Sequence, residues 1–237
     1  MLPHEIENEV SAPSFENEVS QENDALPITR KGKTVGRKRF EPEIREHVIK
    51  AATRAIESKG LEGLKARPIA QRAGISVGSI YNLFGDLDEL TRIINGRTYD
   101  ALYQIERTAL EEARRAGKSS RAQMMDLAAA YLDFVETHQS IWLAALSFNR
   151  SQTQQPPQWY LDKEQALFRI IEDAIATFPG AQDIETRKNN ARALWASIHG
   201  IVTVAVADGF LMQPIANVWM QIQIIVNAVA GSLEAEG

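Results

Sequence analysis

The sequence predicts an all-α chain of about nine helices, and three observations carry that prediction. Apolar residues recur at helical spacing from residue 44 onward. Glycine and proline gather in short clusters between those stretches. No extended run alternates apolar and polar residues between turn signals, as a half-buried strand would.

Residues 1–29 carry seven acidic side chains and no Lys or Arg, and lack sustained periodicity. They read as a disordered acidic tail. Residues 30–40, RKGKTVGRKRF, hold six basic side chains and no acid, and form a basic arm. The first helix covers about 42–59. Pro42 suits its first turn, Ile44, Val48, Ala52, Ala55 and Ile56 make its apolar stripe, and Gly60 ends it. A short second helix, ARPIAQRA, tolerates Pro68 because that residue lies in the first turn. Gly74 breaks the chain, Ser76 caps a third helix, VGSIYNLF, and Gly85 stops it. Asp86 opens a long fourth helix with apolar positions Leu87, Leu90, Ile94, Leu102 and Ile105, running toward Gly117. Beyond it, helices are expected over about 121–138, 140–150, 157–178, 183–208 and 214–232. The breaks between them fall at 117–120, Pro156-Pro157, Pro179-Gly180 and Gly209 to Pro214.

Composition narrows the function. The 237 residues suffice for one large domain or two modest ones. No uninterrupted apolar run approaches the roughly 18 residues of a membrane span, and no cationic start followed by an apolar stretch marks a secretory signal. Zero cysteines exclude disulfides, thiolate metal sites and a cysteine nucleophile, and fit a cytoplasmic protein. The net charge of −5 looks unsuited to a nucleic-acid binder, yet its distribution matters more than its sum. The acid lies in the tail and the C-terminal part. The basic arm directly precedes the first helix, where it can attract phosphate locally.

The informative stretch is Arg67 to Phe84, RPIAQRAGISVGSIYNLF. A short helix, a tight turn and a second short helix make a helix-turn-helix. Ile69, Ala70 and Ala73 bury the first helix, Ile75 plugs the turn, and Ile80 and Phe84, four apart, anchor the second. That leaves Ser76, Val77, Gly78, Ser79, Tyr81 and Asn82 on or near the outer face. These are small or hydrogen-bonding residues that can enter a major groove without steric or charge conflict.

Over residues 44–95 the chain resembles the TetR/AcrR family of regulators, through the apolar first helix, RPIAQRAGIS, VGSIYNLF and the acidic start DLDEL of the fourth helix. The resemblance implies a three-helix DNA-binding head over 41–85 and a helical ligand-binding and dimerisation domain over 86–237. It places Arg67, Ser76, Val77, Gly78, Ser79, Tyr81 and Asn82 at DNA-contacting positions. Tyr81 and Ser79 would hold phosphates, while Val77, Gly78 and Asn82 would lie nearest to base edges. The chain departs from the family pattern at two points. Asn82-Leu83-Phe84 replaces the usual aromatic-His-Phe, and Leu87 stands where a Lys is common, which removes two phosphate contacts. Arg37, Lys38 and Arg39 of the basic arm would compensate in the minor groove or along the backbone; the same arm also reads as a plain solvated linker.

In the C-terminal half, Trp195 and His199-Gly200 resemble the W-x-x-x-H-G signature of one TetR-like subgroup. The resemblance implies that the last two helices pair across a two-fold axis. Residues 191–207 and 214–231 are nearly free of charge, so their broad apolar surfaces need cover, which a homodimer would supply. Pocket candidates are Tyr131, Phe134, His138, Trp142, Phe148, Trp159, Phe168, Trp195 and His199; the same residues also read as ordinary core. With no basic cluster among them, the expected effector is neutral or moderately polar, not a multiply charged anion.

An enzyme is the main rival class. The four histidines are scattered, with His47 on the expected outer face of the first helix. No metal-ligand spacing, Gly-rich phosphate loop or nucleophile elbow appears. No cofactor or metal is therefore expected. A helical ligand- or protein-binding module with lost or altered DNA binding is the second alternative. The mechanism implied by the resemblance is a homodimer on a palindromic operator of double-stranded DNA, released when a small molecule among helices 5 to 8 shifts the fourth helix.

Overall fold

A computed structural model describes residues 41–153, 155–207 and 215–235; the basic arm, with Arg37, Lys38 and Arg39, lies outside them. The described residues form nine α-helices, two short 3-10 turns and no strand: α1 (Glu41–Lys59), α2 (Ala66–Arg72), α3 (Val77–Phe84), α4 (Leu87–Arg115), α5 (Ser120–Thr137), α6 (Gln139–Ser151), α7 (Gln158–Ile175), α8 (Ile184–Ala207) and α9 (Ile215–Ala235). The all-α expectation holds, and the element ends fall within a few residues of the glycine and proline breaks.

The chain divides into two compact units, to both of which α4 contributes. The first comprises 41–98 with 140–155. Its core is built by Val48, Ile49, Ala52 and Ile56 of α1, Ile69 and Ala70 of α2, Ile80 and Phe84 of α3, Leu90 and Ile94 of α4, and Ile141 and Ala144 of α6. Removing the side chain of a wholly buried residue such as Ile80 costs about 2–5 kcal/mol. The turn between α1 and α2 is tight enough that a Cβ on Gly63 would collide with the Ala55 carbonyl oxygen. Gly85, at φ 81°, ends α3 in a backbone conformation that other residues resist.

The second unit comprises 99–139 with 156 onward. Helices α5, α7, α8 and α9 pack on one another. Leu110, Leu127, Ile170 and Ala174 form one of its apolar clusters. Polar ties fix the helix ends. Arg121 at the start of α5 donates to Asn227 at 3.1 Å and to Glu234 at 2.6 Å on α9. Helix α9 buries Val218, Ile222, Val226, Ala230 and Leu233, a stripe at helical spacing. Among the described helices α9 alone has the length and mean hydropathy (1.2) of a membrane span. One such helix is weak evidence, and its buried stripe is engaged in packing within the unit.

Candidate functional site

The surface of the first unit that bears on function is built on α3. Ser76 begins this helix, accepting from the Ser79 backbone N–H at 3.2 Å through its hydroxyl, so one of the orphan donors of the first turn is satisfied. At the other end Arg45 of α1 donates to the Leu83 carbonyl at 2.7 Å, and its guanidinium lies 4.5 Å from the centre of the Phe84 ring. A cation is favourable at a helix C-terminus and over an aromatic face, so α3 is held at both ends. Ile80 and Phe84 point inward, and Val77, Gly78, Tyr81 and Asn82 are exposed, with Tyr81 at 46 %. The hydroxyls of Ser76 and Ser79 meet at 2.8 Å, so Ser79 is half-buried and already engaged. Helix α3 bears no charged side chain, while Lys65, Arg67 and Arg72 are exposed on and just before α2, which has no acid. Lys65, not a Ser or Thr, precedes α2 and makes no side-chain cap.

Two further contacts tie α4 to other elements of this unit. Arg97 of α4 reaches Glu46 of α1 through two bonds of 2.7 and 2.6 Å. The Arg97 hydrogen bond holds the Glu46 carboxyl below its ordinary range. Arg92 donates to Gln152 at 3.0 Å and lies 5.7 Å from the Phe148 ring centre. His47, expected on an outer face, is half-buried instead, with its Nδ1 enclosed.

The second unit contains a cavity lined by Glu106 of α4, Met124, Leu127, Ala128 and Tyr131 of α5, Ile171 of α7, and Leu194, Trp195 and Ile198 of α8. Its volume is about 30 Å³, room for one or two waters, and it is partly open to solvent. Tyr131 Oη is 2.7 Å from His199 Nδ1, and the His199 ring stacks on Trp195 with centroids 4.4 Å apart and planes 10° from parallel. Phe168 meets Trp195 edge-on at 5.2 Å. His199 Nε2 lies 3.4 Å from Thr203 Oγ1, so the imidazole is held on both sides.

Of the residues expected around a pocket, Tyr131 and Trp195 line this cavity, and His199 and Phe168 back them. The others do not join them. Phe134 is core, 2 % exposed, with His138 against its ring at 4.8 Å. Trp159 lies at the surface, 36 % exposed, edge-on to Tyr160. Trp142 and Phe148 are buried in the first unit, on the helix whose Ile141 and Ala144 enter the head's core.

The sequence reading missed Glu106. Its side chain is buried, Oε2 is enclosed without a hydrogen-bond partner, and burial pushes its pKa up to about 8. A signal was present. Tyr99, Leu102, Glu106, Leu110 and Ala113 are the buried positions of this half of α4, so a glutamate occupies an apolar register. Reading Ile105 as the stripe residue shifted that register by one; Ile105 is only half-buried.

Comparison with known proteins settles the family. The family description "Bacterial regulatory proteins, tetR family" matches residues 48–92, and "Tetracyclin repressor-like, C-terminal domain" matches 124–222. Together they cover more than half of the chain. The chain belongs to the TetR family. It is a DNA-binding transcription regulator, a class distinct from enzymes. Similar curated proteins include the HTH-type transcriptional regulator BetI of Paraburkholderia phytofirmans (strain DSM 17436 / LMG 22146 / PsJN), 28% identical over 158 residues, which span 66% of this chain and 78% of that one. BetI of Burkholderia cenocepacia (strain HI2424) is 27% identical over 157 residues, 66% of this chain and 79% of its own. Among solved structures, a transcriptional regulator from Rhodococcus sp. RHA1 superposes with a TM-score of 0.61 at 19% identity, over 80% of this chain and 97% of its own. The multidrug binding protein EbrR, complexed with imidazole, does so at 0.58 and 18%, over 79% and 95%. At these identities the structures testify to the fold. TetR-family proteins bind DNA as dimers and respond to small molecules.

Proposed function

We propose that this TetR-family chain is a ligand-responsive repressor whose homodimer sets two copies of α3 in successive major grooves of a palindromic operator. The observation that carries this reading is the outer face of α3, where Val77, Gly78, Tyr81 and Asn82 stand exposed and uncharged on a helix fixed at both ends. A rigid helix is needed because base-edge hydrogen bonds tolerate little misplacement. In this reading Tyr81 and Ser79 hold phosphates, Val77, Gly78 and Asn82 approach base edges, and Arg67 with Arg37, Lys38 and Arg39 neutralises backbone charge.

The dimer forms through α8 and α9. Val204, Ile215, Met220 and Ile224 are large apolar side chains left exposed on them, Ile224 at 66 %, and an isologous contact covers them at no cost to the buried stripe. The effector enters the cavity lined by α4, α5, α7 and α8. Residues 41–85 then serve as head and 86–237 as sensing and dimerisation domain. An effector acts only through its different affinities for the DNA-bound and free conformations.

The test is fluorescence anisotropy on duplexes tiled across the DNA upstream of the gene, over a salt series. One tile should bind far more tightly than the rest, with affinity falling steeply as salt rises. Asn82→Ala should flatten the preference among tiles by about 1–3 kcal/mol. Equal binding to every tile, together with an unaltered Asn82→Ala profile, overturns the reading.

A further inference from the structure

The stretch from Lys65 to Gly85, which carries α2 and α3, holds three basic side chains and no acid. Lys65, Arg67 and Arg72 are all exposed, and none of them joins an ion pair among the described residues. The fold therefore leaves the charge of this face uncompensated. Residues 1–29, outside the described ones, hold the opposite charge in segregated form. They carry seven acids and no Lys or Arg, and the six cations of residues 30–40 follow directly. A block of one sign is the usual composition of an interaction tail. Part of this block is also duplicated. The sequence IENEVS of residues 6–11 returns as FENEVS at 15–20, so two carboxylates two positions apart follow an apolar residue twice. A tail that served solubility alone needs charge, not a repeated order of residues.

We propose that the acidic tail, residues 1–29, docks on the exposed basic face of α2 and α3 and competes there with DNA, so that the chain restrains its own DNA binding. The proposal rests on the reading of this face as the DNA-contacting one and adds a competitor carried by the same chain. Tail and DNA satisfy the face in the same way, by setting carboxylate or phosphate oxygens against Lys65, Arg67 and Arg72.

Reach is no obstacle. The 21 residues from Ser20 to Glu41 span up to about 70 Å, more than twice the diameter of a small domain, about 30 Å. Because tail and face share a chain, the tail acts at an effective concentration of about 1 mM. An intrinsic dissociation constant of about 0.1 mM, at the weak end of non-specific DNA binding, then leaves the face open about a tenth of the time. DNA binding is weakened about tenfold as a result. The contest is electrostatic on both sides, so the restraint fades as salt rises.

The test compares the full chain with a variant carrying Glu7→Gln, Glu9→Gln, Glu16→Gln and Glu18→Gln, which removes the repeated charge and leaves every described residue unchanged. Carbodiimide cross-linking joins a carboxylate to a lysine amine in direct contact, and mass spectrometry of the full chain reads docking without DNA. The expected result is a bond between the tail and Lys65 that is lost at high salt or when the most tightly bound duplex is added. Anisotropy on that duplex should show the variant binding about five- to tenfold more tightly than the full chain at about 50 mM salt, with the gap narrowing by about 200 mM. Cross-links at Lys65 with equal DNA affinities would overturn the competition. A tighter variant without such cross-links would overturn the docking, leaving the tail to repel DNA from a distance. Cross-links at Lys65 in a chain whose preference among duplexes ignores Asn82→Ala count for the docking and against the DNA-contacting reading of the face.

Discussion

Replacing Glu106 by glutamine should make the protein more stable, by an amount that grows with pH. Glutamine has the same shape and stays neutral. Below about pH 4.5 the wild-type carboxyl is protonated both in the folded and in the unfolded chain, and its neutral form sits in the apolar wall at modest cost. Between 4.5 and about 8 the unfolded chain has released this proton while the folded chain retains it. Folded stability therefore falls with rising pH by about 1.4 kcal/mol per unit. The accumulated loss is about 3 kcal/mol at neutral pH and at most about 5 kcal/mol above the folded pKa. The variant carries none of it. Urea unfolding of both proteins, followed by circular dichroism at equal protein concentration because the dimer couples stability to concentration, gives the difference directly. The two should nearly coincide at about pH 5 and diverge steadily through about pH 8, the other titrating groups cancelling in the subtraction. A difference that stays flat across this range refutes the claim that burial of Glu106, with Oε2 unbonded, holds its proton.

Three further outcomes follow from the packing. Gly63→Ala should lower stability by about 1–3 kcal/mol, read as a thermal shift, because the added methyl meets the rigid Ala55 carbonyl. Arg45→Ala removes the charged hydrogen bond to the Leu83 carbonyl and the cover over Phe84; hydrogen exchange at the α3 amides should accelerate, reflecting a loss of about 1.5–3 kcal/mol. Met220→Asp with Ile224→Asp leaves the α9 stripe intact, so sedimentation should show a folded monomer in place of the dimer. A dimer of unchanged strength would move the interface elsewhere.

The helices were legible because their limits are local. Ser76 accepts from Ser79 N–H, Asp86 accepts from Glu89 N–H at 2.6 Å, and Gly74 and Gly85 adopt positive φ, all chemistry that acts within four residues. The exposed face of α3 was legible for the same reason, since Ile80 and Phe84 fix which side turns inward. The cavity was not. Helical spacing shows which face of a helix is buried, not which other helix covers it. Tyr131 and Phe134 are three residues apart on one helix, yet only Tyr131 lines the cavity. Trp142 belongs to the head's unit because α6 packs there, a long-range fact without a local sign. Glu106 was missed through a register error of one residue, and a glutamate in the run Leu102, Glu106, Leu110, spaced four apart on one helix face, is the trace that would have exposed it.

Hydroxyl-radical footprinting of the full chain on its most tightly bound duplex tests the central claim most directly, because it reports where α3 meets DNA. The account predicts two protected patches related by a two-fold axis and centred about 34–36 Å apart, one helical turn, both weakened in Asn82→Ala. Uniform protection along the duplex, or two patches that persist unchanged in Asn82→Ala, would contradict it.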